Sequence, residues 1–385
     1  MGRQGHNASD TIVKDLLEAA AVKGLGPVLI RRLIERLGTW ADVKRAGDAA
    51  LAEAGIRRDV ARAIRKGDLR YDPAEQMARC RALDIRLIPY TSEDYPTALR
   101  PHDSAPVVLF VKGELAERDA VAVAIVGTRR ASLYGRMHAE RLSFELAHAG
   151  FTIVSGLARG IDAAAHRGAL KAGGRTLAVL GNGLASVYPS EHADLADEIA
   201  GRGALISELV PDVEPNAANF PPRNRIIAGL SLGVLVIEAP SRSGAVLTAR
   251  LAGEMGKEVF AVPGDIGRPQ ARGVHQLIRD GAKLVESVDD VIEELGVMSR
   301  SVRVAENRPP LADPRALTLN SREQTVYDLL AATPKDIDAI TRESELSAAN
   351  VASTLMVLEL KRLAVQTPGK RYARAFSPLP EAVDP

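Results

Sequence analysis

FPPRNRIIAGLSLGVLVIEA, Phe220 to Ala239, is the stretch whose reading decides the fold. Its second half, GVLVIEA from Gly233 to Ala239, is apolar at nearly every position. That is the pattern of a parallel strand covered on both faces, not the alternation of a strand with one wet face. Its first half sets Arg223 and Arg225 on either side of Asn224, close to Phe220, where a loop enters a helix. Guanidinium forks and the unpaired amides of a helix start both suit an anion, and a polyphosphate is the natural partner. A structural reading stands beside it, in which the two arginines form ion pairs with carboxylates such as Glu208 or Glu238.

Working outward, apolar strands alternate with helices from Val121 onward: VAVAIVG (121–127), FTIVSG (151–156), TLAVLG (176–181), ALISEL (204–209), GVLVIEA (233–239), EVFAVPG (258–264) and KLVES (283–287). Helices are expected to start near Tyr134, Gly160, Ser190, Arg223, Gly244 and Gly273. Such alternation predicts an α/β domain with a doubly wound parallel sheet. Ahead of it, residues 11–66 read as short helices separated by glycine turns, KGLG at Lys23–Gly26 and AEAGI at Ala52–Ile56. This arrangement looks like a helix-hairpin-helix or sterile-alpha-motif-like domain, a fold that often meets DNA phosphates and equally serves as a protein-interaction module. Residues 1–70 hold 14 Lys or Arg against 9 Asp or Glu, a net of +5.

The expected organisation is a helical domain at 1–70, an α/β domain at 71–296 with its core at 119–296, a proline-rich linker at 297–320, a winged-helix domain at 321–376 and a tail at 377–385. In the last domain Ser347 is placed to cap the third helix. Val351, Leu355, Leu358 and Leu360 leave few basic positions on that helix, which favours a partner module over a duplex reader.

The chain has 385 residues, enough for two or three domains, and its 50 Lys plus Arg nearly cancel 49 Asp plus Glu. Any cationic surface therefore comes from local clustering. Cys80 is the only cysteine, which excludes an internal disulfide and a cysteine-rich metal site and fits a reducing compartment. There is no apolar run of membrane-spanning length and no secretory h-region, so a cytoplasmic protein with no membrane partner is expected.

Four loops at the carboxyl ends of the strands carry the unusual residues. GTRRASLYG (127–135) offers Gly127, Thr128 and Arg129, and SGLARGIDAAAH (155–166) offers Ser155, Gly156 and Gly160 ahead of a helix start. The third loop holds Phe220, Arg223, Asn224 and Arg225. The fourth, SRSGAVLTA (241–249), places Ser243 and Gly244 at a helix start with Thr248 one turn in. Ser243 reads as a helix cap, because no motif ties a histidine to it as a nucleophile. Asp162 and His166, four apart on one helix, read as a structural pair, and no metal site is expected. Neither a dinucleotide fingerprint nor a Walker motif is present, and no cofactor is expected.

Together these stretches, with GNGLASVYP, ISEL, EVFAVPG and HQLIRDGA, resemble the DNA-processing protein A family (DprA, also called Smf) in order and spacing over roughly residues 90–295. The resemblance implies an extended Rossmann-like domain that binds single-stranded DNA, dimerises, protects incoming DNA and loads the RecA recombinase during natural transformation. There are departures. Val274 and His275 stand where the family usually has Thr and Asn, Asn182 is at a variable position, and the loop from Pro211 to Asn219 lacks the Lys or Arg of some members. Leu277, Ile278, Val291 and Ile292 are expected at the dimer interface, partly by that resemblance. The rival reading is a related nucleoside monophosphate phosphoribohydrolase, whose P-G-G-x-G-T-x-x-E motif supplies a catalytic glutamate. The closest string here, PGDIGRPQA (263–271), has Ala271 in the glutamate's place, so an enzyme is not expected.

Overall fold

The computed structural model describes residues 2–299 and 321–374, apart from 332, 333, 345, 361, 362, 368 and 370. The chain divides into two compact units, the second beginning after residue 305.

The first unit is built on nine strands: β1 (Arg86–Pro89), β2 (Val108–Gly113), β3 (Ala122–Gly127), β4 (Thr152–Ser155), β5 (Thr176–Val179), β6 (Ala204–Ser207), β7 (Gly233–Ile237), β8 (Glu258–Ala261) and β9 (Lys283–Leu284). Their order in the sheet is β1-β2-β6-β5-β4-β3-β7-β8-β9. The seven strands from β6 to β9 in that order run parallel, while β1 and β2 add an antiparallel margin on β6. The fold is thus the doubly wound α/β sheet expected, extended at one edge. Strand order reverses between β3 and β7, and there the carboxyl ends open a crevice.

Alternation along β3 shows why its sequence is apolar throughout. Val123 and Ile125 face one buried layer together with Leu142 and Leu146 of the helix Leu133–His148; Ala122, Ala124 and Val126 face the other, with Ile226 and Ile227 of the helix Phe220–Gly229. Each fully buried Val, Leu or Ile contributes about 1.5–3 kcal/mol, and only a parallel strand covered on both sides collects it at every position.

The N-terminal helices do not form a core of their own. Leu17, Ile30, Leu33, Trp40, Leu51 and Ile64 join one cluster with Phe110 of β2, Ala178 of β5 and Leu205 of β6. The glycine turns are present, with Gly24 and Gly55 at φ +84° and +85°. The first helix spans Gly2–Ala21 and starts earlier than its apolar pattern predicts.

The second unit has the helices Ser321–Leu329, Ile337–Ser344 and Ala348–Leu360, and a small antiparallel sheet in which Arg371–Arg374 lies between Lys335–Asp336 and Ala364–Thr367. Val326, Ile340, Val351, Leu355 and Leu358 are its core. This is the winged helix expected, and the amide of Asn350 donates to Ser347 Oγ at 3.3 Å as a cap. Residues 300–320 of the expected linker and the expected tail lie outside the described residues. No helix among the described residues is long and apolar enough to cross a membrane.

Candidate nucleic-acid interface

The loops singled out in the sequence meet at the carboxyl ends of β3, β4, β5 and β7. The Thr128 amide donates to the Glu238 carbonyl at 2.7 Å, joining the loops after β3 and β7. Gly160, at φ +81°, brings the β4 loop so close to the β3 loop that a Cβ there would lie 2.8 Å from the Arg129 carbonyl oxygen. A Cβ on Gly127 would likewise collide with the Ile237 carbonyl. Asn224 Nδ2 donates to the Gly244 carbonyl at 3.2 Å, tying the helix Phe220–Gly229 to the β7 loop.

Two groups stand open on this rim. Arg129 is exposed, has no carboxylate partner among the described residues, and lies with its guanidinium 4.9 Å from the centre of the Phe220 ring. Phe220 is partly exposed; it rests on Gly181, where a Cβ would lie 2.7 Å from the ring, and is flanked by Tyr188 at 5.9 Å between ring centres. Beside them the amides of Leu157, Arg159 and Gly160 have no protein acceptor among the described residues, and they surround the positive end of the helix Ile161–Lys171. Leu157 and Glu238 hold left-handed backbone, at φ +56° and +49°, a cost concentrated where ligands are held.

Asp162 holds the β4 loop from below. It accepts from the Gly156 amide at 3.1 Å and the Ala158 amide at 3.4 Å. Burial raises its pKa, and the Arg223 charge opposes that rise. Glu238, buried, accepts from the Ser132 amide at 2.8 Å and from the Ser132 hydroxyl, tying the β3 loop, where it enters the helix Leu133–His148, to the end of β7.

The expectation that Arg223 and Arg225 both stand free at the rim is corrected. The helix begins at Phe220, so residues 223 and 225, about 200° apart around it, point in nearly opposite directions. Arg223 is 7 % exposed, and its guanidinium donates to the Gly156 carbonyl at 3.0 Å and to the Val179 carbonyl. Burial lowers its pKa to about 10, against the attraction of Asp162. Arg225 makes the ion pair that the structural reading anticipated, with both Glu208 carboxylate oxygens at 2.6 Å. Glu238 takes no part in it.

Ser155 and Thr248 are also turned inward. The Ser155 hydroxyl donates to the Ile125 carbonyl at 2.6 Å and Thr248 to the Gly244 carbonyl at 2.9 Å. Ser243 caps its helix through the Val246 amide at 3.3 Å. His166 pairs with Thr176 Oγ1 at 2.7 Å, not with Asp162 as expected. Among the described residues no group of three His, Cys, Asp or Glu is placed to hold a metal. Leu277 and Val291 are buried in their own protomer, with Ile278 and Ile292 packed against the same cores; the apolar character of these four is accounted for by the fold. Tyr188, Asp162 and Glu238 are the parts of the rim that residue chemistry alone did not assign. Tyr188 sits in the quoted GNGLASVYP, but nothing local says which ring it approaches.

Fold and rim together define a Rossmann-like protein with a cationic, aromatic surface at the strand ends. The family model described as DNA recombination-mediator protein A matches residues 86–296, and a DprA winged-helix model matches 309–370. Protein Smf of Synechocystis is 34 % identical over 387 residues, covering 92 % of this chain and 96 % of the relative. The crystal structure of DNA processing protein A from Streptococcus pneumoniae is 36 % identical with a TM-score of 0.64, over 72 % of this chain and 95 % of that one. A Helicobacter pylori DNA processing protein A structure, described in terms of its single-stranded DNA binding mode, is 30 % identical with a TM-score of 0.50, over 56 % and 96 %. The chain belongs to the DNA-processing protein A (DprA/Smf) family.

Proposed function

We propose that the rim binds single-stranded DNA, and that the protein protects incoming strands and loads a RecA recombinase on them during recombination. One observation carries the reading: an unpaired, exposed guanidinium stacked on a partly exposed phenylalanine, beside a loop of unsatisfied amides. A single strand presents phosphates to the first and last of these and base faces to the ring. The described single-strand binding of the Helicobacter relative supports the proposal.

Measuring affinity for a labelled thymine homopolymer, a blunt duplex and RNA across a salt series tests it. Tighter binding of the DNA strand than of the duplex is expected, with log affinity falling by about 0.7 per phosphate neutralised for each unit of log salt. Equal affinity for the blunt duplex overturns it. RecA loading is read separately, as faster filament formation on a strand already coated with single-strand binding protein.

The phosphoribohydrolase reading finds no support at the loop that would carry it. Ala271, in the place of that motif's glutamate, is buried at 4 % exposure, and the nearby His275 ring is engaged with the Gly264 carbonyl at 3.0 Å. The homodimer implied by the resemblance would draw on the outer edge of β9, where Leu284 is 41 % exposed, more than on Leu277 or Val291.

A further inference from the structure

Arg223 stands in the middle of the stretch of sequence best suited to bind an anion, yet its guanidinium is shut away from the rim. It reaches two backbone carbonyls, Gly156 O at the end of β4 and Val179 O at the end of β5. On the other side of the Gly156 α-carbon, Asp162 accepts from the Gly156 amide. The two peptides that flank Gly156 are thus gripped, one at its nitrogen by an anion and the next at its oxygen by a cation, and Leu157, whose backbone is left-handed, follows immediately. The guanidinium carbon also lies 5.9 Å from the centre of the Phe220 ring, from the inner side, while Arg129 lies 4.9 Å from it. Nothing leaves room for slack: a Cβ on Gly156 would meet Arg223 Nη2 at 2.6 Å.

We infer that Arg223 is a positioning residue, which sets the β4 loop and the Phe220 ring in their strand-binding arrangement and touches no phosphate. The inference rests on the single-strand reading of the rim. Its physical content is that a cation donating to two carbonyls costs its own desolvation and is kept because each carbonyl would otherwise be buried without a donor. A strand contact made by Arg129 releases counterions, and a contact made through Arg223 releases none.

That difference supplies the test. Affinity for a thymine homopolymer is measured over a salt series for the full chain and for Arg129→Ala, Arg223→Met, Arg223→Lys and Gly156→Ala. Arg129→Ala is expected to lower both affinity and the salt slope, the slope by about 0.7. Arg223→Met is expected to lower affinity tenfold or more with the slope unchanged, and Arg223→Lys to recover part of the loss. Gly156→Ala displaces the guanidinium while leaving every charge in place, and is expected to reproduce the Arg223→Met loss. It also keeps the inference testable if Arg223→Met does not fold.

A slope reduced in Arg223→Met as much as in Arg129→Ala makes Arg223 a phosphate contact and overturns the inference. So does wild-type affinity in well-folded Arg223→Met or Gly156→Ala. If instead Arg129→Ala binds normally, the single-strand reading itself fails, and the two failures are told apart.

Discussion

At the scale of single residues, the rim separates into groups that face outward and groups that hold them. Arg129→Ala should weaken strand binding by roughly 1.5–3 kcal/mol, the range for a charge-assisted contact, with the melting temperature unchanged. Fluorescence anisotropy and a thermal scan on the same variant check this. His166 gives a prediction of a different kind. Thr176 donates its hydroxyl to the Ile153 carbonyl at 2.8 Å, so His166 Nδ1 carries the proton shared with Thr176, and Nε2 is buried without a partner. Burial pushes the imidazole pKa down from 6.5 to about 3. The folded state therefore resists a proton that the unfolded chain accepts, and its stability is full above pH 6.5 and declines as pH falls toward 3. A His166→Gln variant should flatten that decline in melting temperature between pH 7 and 4.5; an equally steep decline in the variant would assign it to other groups.

Among the elements, the strands were legible because burial on both faces leaves no room for polar residues, and β3 and β7 read directly from composition. The winged helix was legible in a different way, from three helical segments followed by a short hairpin, and Val351, Leu355 and Leu358 form the buried stripe of its third helix. What the sequence did not disclose is rotation about a helix axis. The pair Arg223 and Arg225 looked like one cationic feature in the linear chain, although two residues along a helix turn side chains nearly opposite ways. Knowing that the helix begins at Phe220, three residues before Arg223, would have separated them. The same gap affected Leu277 and Val291, whose apolar stripes read as a surface between copies and proved to face inward. Leu277→Arg is now expected to destabilise the protomer by about 3–5 kcal/mol, seen in urea unfolding, because it places an unpaired charge in the core. In the third helix of the second unit, the exposed Ala349, Ala352, Ser353 and Met356 present no cation. Deleting residues from 321 onward should cost less than about tenfold, ~1.4 kcal/mol, in strand affinity; a larger loss measured by anisotropy would make that unit a principal binding surface.

For the molecule as a whole, the shared core of the N-terminal helices and the sheet has a cooperative consequence. Removing residues 1–70 uncovers Phe110, Ile85 and Val108, all buried against or near those helices, so the truncated chain should unfold at markedly lower temperature than the full one. Trp40 is the only tryptophan and is 2 % exposed within that shared core. Its fluorescence should accordingly report the same transition as far-ultraviolet circular dichroism of the first unit, and a separate, earlier fluorescence transition would show the helices to be an independent domain.

Cys80 lies in this core too, 1 % exposed, with burial pushing its thiol pKa up to about 11. Burial thus keeps the thiol protonated at neutral pH and out of reach of a bulky electrophile. To maleimide chemistry the native chain is therefore silent, and a cysteine introduced at an exposed position such as Ile266, 88 % exposed, becomes a single dye address on an otherwise unaltered thiol background.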